Sequence, residues 1–147
     1  MFHWFEKKDK AEKYKEITSF ETVRLKLSGM RFYTLYEVVN RGETSEVSEY
    51  NLARREDENE RIPERQAVVK TEDVLAVLNQ CSLGMWNGFH GAHPKGVLDG
   101  IQFHLEATVN DAKQVKAEGS QNFPKRFDVL RDWFYQTMRA AEAAEKH

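Results

Sequence analysis

The chain has 147 residues, of which 40% are hydrophobic, 12% aromatic and 31% charged, with a formal charge of −2. This length fits one domain, and such a domain buries roughly 70% of the surface its unfolded form exposes, so it needs no covalent staple. Charges of both signs are mixed and nearly cancel, which leaves no global field to draw in nucleic acid or an anionic membrane.

The opening M-F-H-W-F-E-K-K-D-K has no apolar run of signal-peptide length, and no window approaches a membrane span. A cytoplasmic location is the expectation. Residues 1–18 read as a charged N-terminal helical segment whose aromatics, Phe2, Trp4 and Phe5, dock on the domain. From Ser19 to Leu27 the residues alternate, with Val23, Leu25 and Leu27 on one face, which predicts a half-buried strand. Ser28-Gly29 signals a turn, and Met30 to Val39 reads as a second strand with Met30, Phe32, Thr34, Tyr36 and Val38 on one face. Its other face, Arg31, Tyr33, Leu35 and Glu37, is mixed, so the strand is placed centrally.

Glu46–Leu52 is a weaker strand, followed by the most charged run of the chain, Arg54 to Arg61, read as a solvated loop. Pro63 argues that the next strand, Gln66–Lys70, lies at an edge or is just beginning. A helix over 71–83 follows. Thr71 is its expected N-cap, Glu72 and Asp73 complement its dipole, and Gly84 is expected to take the left-handed cap conformation. The lone cysteine, Cys81, excludes an intrachain disulfide and a multi-thiolate zinc site. Its place on the apolar stripe of this helix reads as a buried, inert thiol. Ile101–Val109 then alternates cleanly, and after the turn at Asn110–Lys113 the segment Gln114–Glu118 returns as its hairpin partner. Asn122 and Pro124 open the last helix, 123–140, with Phe127, Leu130, Phe134 and Met138 at helical spacing. Residues 141–147 are a polar tail.

Between the first helix and the clean strand lies Met85–Gly100, M-W-N-G-F-H-G-A-H-P-K-G-V-L-D-G. Its four glycines lose much freedom on folding, and burial of the Trp86 and Phe89 rings is the source of energy to offset that loss. Asp99 is expected to hold the connector by accepting backbone amides. Trp86, Phe89, Asp99, Asn122 and Pro124 are therefore read as structural anchors. The sharper alternative is a metal or hydrolytic site from His90, His93 and Asp99, with His104 as a fourth group, since imidazoles and a carboxylate suit zinc or another divalent ion. Acid–base work by His90 with Asp99 is a variant of it. The spacing His-x-x-His lies in a glycine-rich loop and not on a helix, and no other element offers a nucleophile with a matched base, so no catalytic, cofactor-binding or metal residue is assigned. A stacking role of Arg31 and Tyr33 on nucleic acid is set aside for want of a basic stripe.

The order Leu83-Gly84-Met85-Trp86-Asn87-Gly88-Phe89, then Val97-Leu98-Asp99-Gly100, then Gly119-Ser120-Gln121-Asn122-Phe123-Pro124 resembles a group of small bacterial proteins with no assigned function. The pattern of that group is Trp-x-Gly-Phe, Leu-Asp-Gly and Gly-Ser-x-Asn-x-Pro, and the likeness spans about residues 20–135. The resemblance implies an α+β domain and transfers no catalytic residue. His90 and His93 lie outside its pattern.

The expected fold is a single α+β domain over 19–140. A mainly antiparallel sheet of five or six strands is covered by two helices, with a charged N-terminal helix outside it. The expected function is that of a non-catalytic binding or protein-interaction domain with a protein partner, working without a cofactor, nucleic acid or membrane. It would use the mixed face around Tyr33 and Leu35 or the rim near His90. The alternative is a small metal-dependent or hydrolytic enzyme using His90, His93 and Asp99.

Overall fold

Period-two alternation needs a sheet with one covered face, and the computed structural model, which describes residues 11–53, 62–98 and 100–145, supplies it. In chain order the elements are β1 (Phe20–Ser28), β2 (Tyr33–Asn40), β3 (Thr44–Asn51), β4 (Arg65–Lys70), α1 (Thr71–Gln80), a 3-10 turn (Leu83–Trp86), β5 (His90–Gly91), β6 (Gln102–Val109), β7 (Lys113–Ser120) and α2 (Phe127–Glu145). The seven strands form one sheet in the order β4-β3-β2-β1-β6-β7-β5. Every pairing is antiparallel except that of β5 with β7.

Register decides which residues share a face. Val23, Leu25 and Leu27 of β1 stand opposite Val38, Tyr36 and Thr34 of β2 on one side and Ala107, Leu105 and Phe103 of β6 on the other. All of these but Thr34 join Val115 and Ala117 of β7 in one core, closed by Val74 and Leu78 of α1 and by Phe127, Leu130, Phe134 and Met138 of α2. Burying each of the Val, Leu, Phe and Met side chains contributes about 1.5–3 kcal/mol. Tyr36 stacks on Phe134 with centroids 4.9 Å apart. The opposite face of the sheet carries Arg24, Lys26, Glu37, His104, Glu106 and Glu118, and no helix lies over it among the described residues. Leu35 of β2 points to that polar face yet is only 1% exposed, which fits a central strand.

The architecture is thus α+β with a largely antiparallel sheet and two helices, and several details differ from expectation. The sheet has seven strands, because the connector contributes the two-residue β5. The N-terminal helix is not found: residues 11–19 are an irregular strap, and residues 1–10 lie outside the described residues. The strap's polar groups are satisfied by the domain and not by its own turns. Tyr14 N donates to the Gly84 carbonyl at 3.0 Å, Ile17 N donates to Asn79 Oδ1 and receives Asn79 Nδ2 at its carbonyl, and Ile17 is buried. Thr71 is the first helical residue, and Lys70 is the N-cap without a side-chain bond. The Thr71 hydroxyl is instead 2.7 Å from that of Ser45.

Ser82, not Gly84, takes the left-handed conformation, with φ 57°. Gly84 is needed for a different reason, since a Cβ there would lie 2.1 Å from the Tyr14 carbonyl oxygen. Strand β2 starts at Tyr33, so Met30 and Phe32 belong to a turn closed by Gly29 N and the Phe32 carbonyl. Ile101 likewise precedes β6 and is 36% exposed. Pro124 lies ahead of α2 and accepts from Phe127 N at its carbonyl. The helix itself continues past residue 140 to Glu145.

Candidate functional site

The connector builds the site by the way it closes the sheet edge. Trp86 is 3% exposed, its Nε1 donates to the Lys125 carbonyl at 3.2 Å, and its ring meets Phe127 at 5.9 Å. Phe89 is half-buried, 6.1 Å from Phe103. Between them the chain runs along β7: Gly88 N donates to the Lys116 carbonyl, Glu118 N donates to the Phe89 carbonyl, and Lys116 N donates to Asn87 Oδ1. Asn122, on the far side, donates Nδ2 to the Ala92 carbonyl at 3.2 Å and makes no cap for α2. Pro124 is buried. Asp99 lies outside the described residues.

Running parallel to β7 puts His90 opposite Glu118 on the uncovered face. The register of β6 puts His104 opposite Glu118 from the other side, and β1 puts Lys26 opposite His104. Glu118 is the centre of this row: His90 Nδ1 lies 3.3 Å from one carboxylate oxygen and His104 Nδ1 lies 3.6 Å from the other. The far nitrogen of His104 faces Glu106 at 3.5 Å. All of these groups are substantially exposed, so each pairing contributes at most about 1 kcal/mol. They orient side chains more than they hold the fold.

The next row, one step nearer the strand ends, is Tyr33, Ser28, Gln102 and Ser120. Between these rows and the connector opens a hollow of about 700 Å³, lined by Lys26, Tyr33, His90, His104 and Glu118 among others. A second hollow of about 460 Å³, reached over Met30 and Leu98, adjoins it. Ser28, Gly29, His93, Gln102 and Ser120 belong to both and form the ridge between them.

On that ridge His93 is fixed at both nitrogens. Nδ1 is 2.7 Å from Ser120 Oγ, and Nε2 meets the Val97 carbonyl. A carbonyl only accepts, so Nε2 carries the ring proton. In the neutral ring Nδ1 is then the acceptor and Ser120 the donor. The local sequence makes this clamp, since His93-Pro94-Lys95-Gly96-Val97 turns back on itself with Val97 N donating to the Pro94 carbonyl. Gly96 has φ 84°, the left-handed value a type II turn requires at its third position.

These positions answer the sequence candidates one by one. His90, His93 and His104 all reach the larger hollow, but they do not converge. His90 and His104 turn to Glu118, and His93 turns to Ser120 and Val97. Among the described residues no three His, Cys, Asp or Glu side chains are grouped to hold a metal ion. The carboxylate His90 meets is Glu118. Tyr33 and the rim near His90, read from the sequence as separate surfaces, line one cavity. The hydrogen bond between Ser120 and His93 joins two residues that the sequence does not bring together. They are 27 residues apart, and Gly119-Ser120 reads in sequence as a break in the sheet; only the last two residues of β7 bring the hydroxyl to the ridge. No described helix is long and apolar enough to cross a membrane. Compared with known proteins, the chain matches no family model, no curated protein and no solved structure, so function is argued from this geometry.

Proposed function

We propose that the chain is a binding domain whose ligand or partner sits at the open end of the sheet, in the two hollows that flank the His93–Ser120 ridge. The observation that carries this reading is where the apolar surface lies. Met30, Phe32, Tyr33, Val97, Leu98 and Ile101 are all exposed, Leu98 at 96% and Met30 at 76%, and all belong to the two segments that border the hollows. Apolar side chains so concentrated around a polar floor have the make-up of an interaction site. A cavity near 700 Å³ is also in the size range that takes a small molecule or one anchoring side chain. The proposed partner presents an apolar group to this rim and hydrogen-bonding groups to the floor.

The test uses Nile red, an uncharged apolar dye, with the full chain and the variant M30D/L98D. Both side chains are solvent-exposed, so the variant keeps its melting temperature while losing most of the dye fluorescence. Equal fluorescence in the two proteins would count against the reading. The metal-dependent alternative from His90, His93 and Asp99 has no support in the arrangement of the two described histidines, since both nitrogens of His93 are engaged.

A further inference from the structure

We propose that Ser120 is a nucleophile with His93 as its general base, and that the ridge hydrolyses small esters carrying an apolar acyl group. The proposal rests on the hollows being a binding site and adds a reaction to them. Three features of the geometry carry it. The Ser120 hydroxyl lies 2.7 Å from His93 Nδ1, within the reach required of a nucleophile and its base. The other ring nitrogen is held by a third group, the Val97 carbonyl, so the tautomer that can take the serine proton is the one imposed. The pair also stands where two hollows meet. A bond laid across the ridge places one half of its molecule in each hollow and its reacting carbon over Ser120.

The larger hollow, with Phe32, Tyr33 and Phe103, suits an apolar acyl group. The smaller one, lined mostly by polar atoms with Ser28, His93 and Gln102 among them, suits a polar leaving alcohol. Gln102 is the direct cross-strand partner of Ser120, which makes its side-chain amide a donor on the same face for the oxygen that becomes negative.

The chemistry balances without a cofactor. Ser120 Oγ bonds to the acyl carbon as its proton passes to His93 Nδ1. The Val97 carbonyl keeps the proton on Nε2 and steadies the imidazolium. The tetrahedral adduct collapses, the carbon–alkoxide bond breaks, and His93 returns its proton to the departing alcohol. Water then attacks the acyl-serine with its proton going to Nδ1, and that proton restores the Ser120 hydroxyl. The net reaction is ester plus water to acid plus alcohol. Val97 acts through His93 and is a positioning residue.

The experiment treats the full wild-type chain with phenylmethylsulfonyl fluoride and maps the adduct by mass spectrometry, with hydrolysis of p-nitrophenyl butyrate as the second readout. The expected result is one sulfonyl group on Ser120, no such adduct in S120A, and hydrolysis reduced at least about 100-fold in both S120A and H93Q, the usual weight of a general base. An unmodified Ser120 in the folded wild type, or S120A hydrolysing the ester as fast as wild type, would overturn the proposal. Nile red binding that persists beside an unlabelled Ser120 would remove the nucleophile and leave the binding reading standing.

Discussion

Two side chains show how burial alone sets chemistry at the scale of a residue. The Cys81 thiol is fully buried, and burial pushes its pKa up to about 12, against a smaller pull from nearby backbone amides and Arg126. The Tyr36 phenol is raised well above its ordinary value, chiefly by burial and then by the Glu49 carboxylate beside it. Both groups keep their protons in the folded protein at a pH where the unfolded chain would lose them. The stability they represent is intact below about pH 9, the ordinary thiol value, and is lost as pH rises towards 12. The melting temperature should therefore hold between pH 7 and 8.5 and fall steadily from 9 to 11, more steeply in wild type than in C81A. Parallel curves for the two proteins would show that the thiol has no part in it. Gly84 makes a second residue-scale prediction. Its replacement by Ala forces the Tyr14 carbonyl away and should cost about 1–3 kcal/mol in urea unfolding, whereas Gly42→Ala meets no neighbour and is limited to the strain of a positive φ.

Among the elements, the connector and the strap explain one another. Trp86 fills the space between the 3-10 turn and the start of α2, and the strap lies over that turn through Tyr14, Lys13 and Glu12, which bond to Gly84 and Asn87. Trp86→Ala should destabilise the fold by about 3–5 kcal/mol, seen as a lower urea midpoint with little change in slope. A loss below 1 kcal/mol would mean the ring is not an anchor. Here the limits of sequence reasoning are physical. Residues 12–17 are rich in Lys and Glu and favour a helix in isolation, but local propensity is a weak prior when a few long-range bonds can satisfy the same backbone groups. Strand β5 is equally hidden, since two residues carry no period and only the edge of β7 makes them a strand. The long alternating runs, by contrast, announce β1, β6 and the core stripe of α2 directly, because burial of one face leaves no other arrangement for Val23, Leu25, Leu105 or Phe134. The candidate site was legible only in parts. The histidines and Tyr33 draw notice by type, whereas Ser120 gains its meaning from a neighbour 27 positions away.

For the whole molecule, the strand order ranks stability. Strand β1 is paired on both sides and packed under the helices, so the Leu25 amide should exchange with deuterium near the rate of global unfolding. At the other extreme is β4. Thr71 N donates to the Glu43 carbonyl, and the alternation of an antiparallel ladder then turns the amides of Gln66, Val68 and Lys70 away from β3. They should exchange several orders of magnitude faster than Leu25. Protection of Gln66 and Val68 comparable to that of Leu25 would show that something covers this edge.

The two margins of the sheet are not alike, and that asymmetry sets a ceiling on self-assembly. At β7 the Lys116 amide and carbonyl and the Glu118 amide are already satisfied by Asn87, Gly88 and Phe89, so a foreign strand finds little to bind there. Among the described residues only β4 can accept one. A filament needs a donor margin and an acceptor margin on every subunit; the described residues supply one, and edge-to-edge growth through them stops at two copies.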